Sequence, residues 1–155
     1  MRIATVCFLL REEEVLLARK KRKDGAGWWN GYGGDVERGE TAVAAAAREV
    51  REECGVFVAE SDLEQRAHVR TYQAGVPHFE LLIFLARSWS GRPSETEEMG
   101  PPRSFGYNEL PFDEMFPDNR MWLSRVLIGE KLEADVYLSP DGKSVDTITF
   151  RKPTF

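Results

Sequence analysis

Glu49, Glu52 and Glu53 stand at positions i, i+3 and i+4 of one segment, directly after Arg48. On a helix these three carboxylates share an arc of about 100°. Like charges crowded at that spacing repel one another, which destabilises a helix unless cations intervene. The pattern therefore points to a divalent metal site. All-oxygen ligation suits Mg²⁺ or Mn²⁺ and not zinc, since no histidine or cysteine lies at matching spacing. Arg48, one turn before Glu52, can hold and orient a carboxylate by a bidentate contact. Taken alone, the same residues also describe a solvated acidic helix face with Arg48 and Arg51 as ordinary partners.

Such a site needs a helix to carry it, and residues 41–54 read as one. Thr41 is an N-cap residue, the alanine run favours helix, and Gly55 sits where a C-terminal glycine belongs. Val43, Ala47, Val50 and Cys54 fall within about 60° of one another and define the expected buried stripe. Upstream, residues 3–10 and 15–18 read as two strands around a polar turn, Arg11-Glu12-Glu13-Glu14. A basic loop, Arg19 to Lys23, leads to the glycine-rich stretch Trp28-Trp29-Asn30-Gly31-Tyr32-Gly33-Gly34, read as irregular backbone. Downstream, residues 56–58, 67–72, 79–86 and Trp89 read as strands, broken at Gly75-Val76-Pro77 and Gly91-Arg92-Pro93. Residues 94–102 read as a loop. Residues 118–128 carry Trp122, Leu123, Val126 and Leu127 at helical spacing after Pro117-Asp118-Asn119, and residues 134–138 and 145–150 form a hairpin around Pro140-Asp141-Gly142. Strands, a helix, more strands, a second helix and a last hairpin make a mixed α/β or α+β fold in a single domain, residues 1–155.

Composition bounds the function. The chain has 155 residues, 42% hydrophobic and 30% charged, inside the globular range and long enough for a core without staples. Its net charge of −5 argues against non-specific binding to nucleic acid or an anionic membrane. The apolar run at residues 3–10 is too short to span a bilayer, so a cytoplasmic protein is expected. Two cysteines, Cys7 and Cys54, are too few for a disulfide framework and are expected reduced, Cys7 in a core strand. His68 and His78 lie apart and read as surface or strand residues. The four tryptophans read as core, with Trp28 or Trp29 available to shape a pocket wall. The basic loop reads as phosphate-facing or solvated.

The acidic-face reading gives way once the flanks are counted. From Gly34 the chain shows a glycine, five residues, Glu40, seven residues, then Arg48-Glu49-Val50-Arg51-Glu52-Glu53-Cys54-Gly55-Val56. This resembles the Nudix box at every defining position. The resemblance implies a loop-helix-loop box within an α/β/α sandwich, and hydrolysis of a nucleoside diphosphate linked to a further group. It also implies an Mg²⁺ cofactor, with Mn²⁺ an alternative, and a small-molecule partner, a nucleoside triphosphate, with no nucleic acid or membrane, acting as a monomer.

Three flanking stretches, residues 25–34, 95–99 and 110–119, resemble the branch of the family that acts on oxidised purine nucleoside triphosphates such as 8-oxo-dGTP. That resemblance implies that Asn30 bonds the purine, with Phe116, Asp118 and Asn119 completing the base pocket and Thr5 and Lys20 lining the ligand site. It implies that Gly33 offers a carbonyl to a metal beside Glu49, Glu52 and Glu53, and that Glu98 is a remote metal or catalytic glutamate. The sequence does not decide which carboxylate takes the proton from water; the order of candidates is Glu53, then Glu49, then Glu98, with Arg48 orienting a carboxylate of the helix. This chain departs from the branch at Asn119, where an aspartate is the rule, at Phe116 for tryptophan, and at Asp24 for phenylalanine. The strand that supplies two further pocket phenylalanines reads Val69-Arg70-Thr71-Tyr72-Gln73 here. An amide both donates and accepts where a carboxyl offers a choice of proton state, so base selectivity could shift, with 2-hydroxy-adenine as the form at issue. Two rivals stay open: another Nudix substrate, such as ADP-ribose or a dinucleoside polyphosphate, and a nucleotide-sensing module without turnover.

Overall fold

The hydrophobic run that opens the chain is covered on both sides. β1 (Arg2–Arg11) is buried without interruption from Ala4 to Leu10, and its alternating side chains feed two separate cores. Val6, Phe8 and Leu10 pack in one cluster with Trp122, Leu123, Val126 and Leu127. Cys7 and Leu9 pack in the other with Ala46, Val50 and Cys54. A strand buried on both faces implies a layer on each side of its sheet, the α/β/α arrangement expected from the sequence. The structure, a computed structural model, describes residues 1–155.

The remaining strands are β2 (Glu14–Arg19), β3 (Trp29–Asn30), β4 (Tyr32–Asp35), β5 (Leu63–Gln73), β6 (Val76–Ala86), β7 (Arg103–Gly106), β8 (Leu132–Leu138) and β9 (Val145–Arg151). The two helices are α1 (Ala42–Cys54) and α2 (Asn119–Leu127). The sheet runs β3-β2-β1-β6-β5-β8-β9, with β4 also pairing β1 and β7 pairing β2. It is mixed: β1 with β6 and β5 with β8 are parallel, and the other pairs are antiparallel. No helix is long and apolar enough to cross a membrane.

Both ends of α1 follow the chemistry read from the chain. The Thr41 hydroxyl accepts from the Ala44 N–H at 3.2 Å, and Gly55, at φ 85°, donates to the Arg51 carbonyl. The buried stripe is rotated from the expected one. Ala45, Ala46, Val50 and Cys54 are fully buried, whereas Val43 and Ala47 are half-buried, and the rotation takes Glu53 inside.

Other expectations are corrected. The glycine-rich stretch is not irregular, because β3 and β4 form there, and β7 forms where no strand was expected. In each case a segment of two to four residues gains its order from pairing with β1 or β2 and not from its own pattern. Residues 56–58 and Trp89 are not strands; a single bridge joins Phe57 to Ser90. The break at Gly75-Val76-Pro77 is narrower than expected. Ala74 and Gly75, both at positive φ, make the turn, and Val76 and Pro77 already belong to β6, with Pro77 beside a register shift where a residue lacking N–H is tolerated.

Candidate active site

β4 lies along the C-terminal half of α1, and their contact builds the acidic centre. The Gly33 N–H donates to Oε1 of Glu53 at 2.8 Å. In an antiparallel pair a residue's N–H and C=O point to the same side, so the Gly33 carbonyl also faces away from β1, towards α1. Only glycine fits there, because a Cβ would collide with the Thr5 carbonyl. At Gly34 a Cβ would stand 2.6 Å from Cδ of Glu49, so the absent side chain makes the cradle in which that carboxylate rests. Glu53 is 9% exposed, and burial, reinforced by the charges of Glu49 and Glu98, pushes its pKa up to about 7. Burial also raises Glu49, against the pull of Arg48. Glu52, at the rim, is mostly exposed.

Arg48 ties the group together. Its Nε and Nη2 donate to the two oxygens of Glu40 at 2.8 and 2.9 Å, and its Nη1 donates to Glu49 at 2.8 Å and to Glu52 at 3.3 Å. Nη2 also reaches the Asp35 carbonyl at 3.0 Å. Glu40 is a residue to which the sequence reading gave no role. Its signal was present in the glycine, five residues, glutamate spacing, but the need for a carboxylate there is plain only when Arg48 is seen to grip it bidentately.

The donor set is all oxygen: the buried carboxylate of Glu53, the partly buried one of Glu49, the rim carboxylate of Glu52 and a backbone carbonyl. Carboxylates whose ionisation is opposed by burial and by one another gain from a hard divalent cation, so these residues fit Mg²⁺ or Mn²⁺. As built, the side chains do not form a ready cage of three ligands, and Arg48 engages Glu49 and Glu52 instead.

The acidic loop is strapped against this centre. The Thr96 hydroxyl donates to the Glu53 carbonyl at 2.8 Å and accepts from the N–H groups of Glu98 and Met99. Arg22 pairs with Glu97 and Glu98 at 3.2 and 3.4 Å. Glu98 is thereby tied to the end of α1 that carries Glu53. Thr96 is a second residue that the sequence reading passed over; nothing in a lone threonine within an acidic loop announces a hub.

Three of the residues expected to read a base, Phe116, Asp118 and Asn119, stand together at the start of α2. Phe116 meets Trp28 edge-on at 5.2 Å between centroids and lies over Gly25, where a Cβ would be 2.6 Å from its ring. Asp118 precedes α2 but does not cap it with its side chain, which instead accepts from the Trp122 indole at 2.8 Å. Burial raises its pKa. Asn119 is 4% exposed. Asn30 lies in β3, its Oδ1 accepting from the Gly31 N–H. A cleft of about 300 Å³ opens beside this group between Trp28, Met115, Pro117 and Val145. Thr5 stands apart: it shares the β1 face of Cys7 and Leu9, on the α1 side of the sheet, with its buried hydroxyl unpaired. His68, 3.8 Å from Glu80, belongs to neither group, and His78 is exposed.

Comparison with known proteins agrees with this geometry. A family model described as NUDIX domain matches residues 1–126. The chain is 36% identical over 154 residues to the Mus musculus protein named oxidized purine nucleoside triphosphate hydrolase, covering 94% of this chain and 97% of that one. It is 35% identical over 127 residues to the Danio rerio protein of the same name, covering 81% and 80%. Among solved structures, the mutator MutT protein from Bacillus halodurans superposes with a TM-score of 0.80 at 23% identity, over 99% of this chain and 100% of that one. A MutT NUDIX hydrolase from Burkholderia pseudomallei superposes with a TM-score of 0.63 at 27% identity, over 71% and 86%.

Proposed function

The chain belongs to the Nudix hydrolase family, and from that premise we propose that it hydrolyses oxidised purine nucleoside triphosphates, such as 8-oxo-dGTP, to the monophosphate and pyrophosphate. The observation that carries the chemistry is the buried Glu53, hydrogen-bonded to Gly33 beside Glu49. The substrate class rests on the two relatives' names and on the grouping of Asp118, Asn119 and Phe116 next to Trp28.

Glu49, Glu52 and Glu53, the Gly33 carbonyl and Glu98 would hold Mg²⁺, or Mn²⁺ in its place. When bound, the metal supplies charge neutralisation at the phosphate oxygens and lowers the pKa of water. Water attacks one phosphorus of the triphosphate, the bond to the pyrophosphate oxygen breaks, and the water proton passes to a carboxylate. Glu53 leads as that base, being the most deeply buried carboxylate of the box helix and held by the Gly33 N–H. Glu49 and then Glu98 follow. Arg48 keeps Glu49 and Glu52 oriented, and Glu40 keeps Arg48 oriented. Lys20, just past the end of β2 where its backbone bridges Met99 of the acidic loop, would meet a phosphate. Asn30, Asp118 and Asn119 would read the purine edge, with Phe116 packed on it, and Thr5, on the β1 face that looks towards α1, would line the ligand site from the side of the acidic centre. One sheet running through residues 2–151 supports a single domain, and we take it to act as a cytoplasmic monomer.

The test is pyrophosphate release from a panel of oxidised and ordinary nucleotides, with and without Mg²⁺. Preferential, Mg²⁺-dependent turnover of oxidised purine triphosphates is expected. Preference for ADP-ribose or a dinucleoside polyphosphate would replace the substrate, and nucleotide binding without turnover would replace the enzyme by a sensing module. Glu52→Gln is expected to remove most turnover at saturating Mg²⁺ while the fold survives, since amide for carboxylate changes charge but hardly volume.

A further inference from the structure

Five consecutive cations run from the last residue of β2, Arg19, into the loop that leads to β3, and they divide by partner. Arg19 bonds the Gly27 carbonyl at 2.6 Å and Glu114 at 3.0 Å. Lys21 bonds Glu95 at 2.6 Å and the Thr96 carbonyl at 2.7 Å, and Arg22 pairs with Glu97 and Glu98. These three strap the loop to the body of the protein. Lys20 and Lys23 have no ion pair, and they are the two loop lysines whose charges bear on Glu53 and Glu49.

Lys23 is also conformationally unusual. Its φ is 62°, in the left-handed region, where a side chain is disfavoured and glycine is at ease. The two other residues of this kind, Glu12 and Ala74, sit in tight hairpin turns that demand such backbone. Lys23 sits in a longer loop that already uses Gly25 and Gly27 at positive φ. A lysine retained at a glycine-like position, exposed and free of a partner, points to use of its charge. Its neighbours in the chain bracket the site, Arg22 pairing with Glu98 on one side and Gly25 lying against Phe116 on the other.

We propose that Lys23 is a phosphate-binding residue whose ammonium takes an oxygen of the nucleotide's polyphosphate chain. The proposal rests on the polyphosphate-hydrolase reading above but not on the identity of the base. Lys23 sits two residues before Gly25, whose backbone touches Phe116, so one loop serves the base pocket and the acidic centre together. The strapping by Arg19, Lys21 and Arg22 holds the loop that carries Lys23 before a ligand arrives, which reduces the ordering needed on binding to that of one side chain.

The test is calorimetric titration of the full chain with inorganic pyrophosphate in Mg²⁺, using Lys23→Gly, Lys23→Gln and Lys23→Arg. Gly relieves the backbone while Gln keeps its demand, and both remove the charge. Both are expected to weaken pyrophosphate binding by about tenfold, whereas Arg stays within about twofold. Lys23→Gly should melt at or above wild type, and the KM for triphosphate should rise in Gly and Gln with kcat retained. Unchanged pyrophosphate affinity in Lys23→Gln, an equal loss in Lys23→Arg, or no pyrophosphate binding by wild type each overturns the proposal. Because the probe has no base, a nucleotide panel that favours some other substrate sinks the oxidised-purine reading and leaves this one standing.

Discussion

The Gly33 N–H donates to Glu53 across the β4–α1 junction, so the one fully interior carboxylate of the box helix is held by a backbone donor and not by a side-chain cation. A single neutral donor does not offset burial among other carboxylates, which is why Glu53 keeps its proton to about pH 7. The centre without metal is therefore under electrostatic strain that ligand binding relieves.

That strain has a sign that can be measured. Between the ordinary value of 4.5 and about 7, folded protein holds a proton on Glu53 that the unfolded chain has released. Stability in chelator should then fall as pH rises through this window. Glu53→Gln, which resembles the protonated carboxyl, should flatten the fall and melt above wild type at pH 8. Thermal melts in chelator across the window check this; the same pH slope in both proteins would remove Glu53 as its source.

The two glycines of β4 should separate by function. Gly33→Ala drives a Cβ into the backbone of β1, which cannot retreat without breaking the ladder, and should destabilise by roughly 3 kcal/mol or more. Gly34→Ala meets only the Glu49 carboxylate, so the fold should survive while Mg²⁺ affinity and turnover fall. Circular dichroism for folding and Mg²⁺ titration of activity distinguish the two, and a Gly34→Ala protein with wild-type Mg²⁺ dependence would contradict the cradle.

Arg48 satisfies three glutamates and the Asp35 carbonyl, so Arg48→Ala should lower stability by about 1 to 3 kcal/mol. Arg48→Lys should recover only part, since an ammonium cannot present the planar fork that grips both oxygens of Glu40. Urea unfolding in chelator measures both. A loss under about 0.5 kcal/mol in the alanine variant would class the network with ordinary surface ion pairs.

The base pocket calls for a probe that spares the fold. Asp118→Ala leaves the Trp122 indole without its acceptor and should lower stability by about 1 to 3 kcal/mol, which confounds any kinetic effect. Asn119→Asp is cleaner. A second carboxyl beside Asp118, whose pKa burial already raises, should keep one of the pair protonated and able to donate. Acceptance of oxidised purines should broaden to the 2-hydroxy-adenine form. The readout is the ratio of kcat/KM values across purine and pyrimidine triphosphates; equal scaling of all substrates would mean that the base is not read here.

The box helix was legible from the chain alone because its signals are local. A threonine cap, an alanine run, a glycine stop and carboxylates at fixed spacing all act within a few turns of one another. The family resemblance follows from the same short-range pattern, and so do the long strands β1, β5 and β6, whose own composition favours them. Tertiary structure decided the rest. β3, β4 and β7 are too short to declare themselves, and they exist because β1 and β2 offer edges to pair with. The face of α1 that turns inward was set by the sheet it packs on, which is how Glu53 came to be buried while Glu52 stayed at the rim. Glu40 and Thr96 acquired their roles only when chain separated by many residues was brought within hydrogen-bonding distance. Thr5 was placed by strand alternation on the face opposite α2, away from Asp118 and Asn119. Spacing along a helix is a property of sequence, but which groups share a low-dielectric interior depends on how the layers close over them.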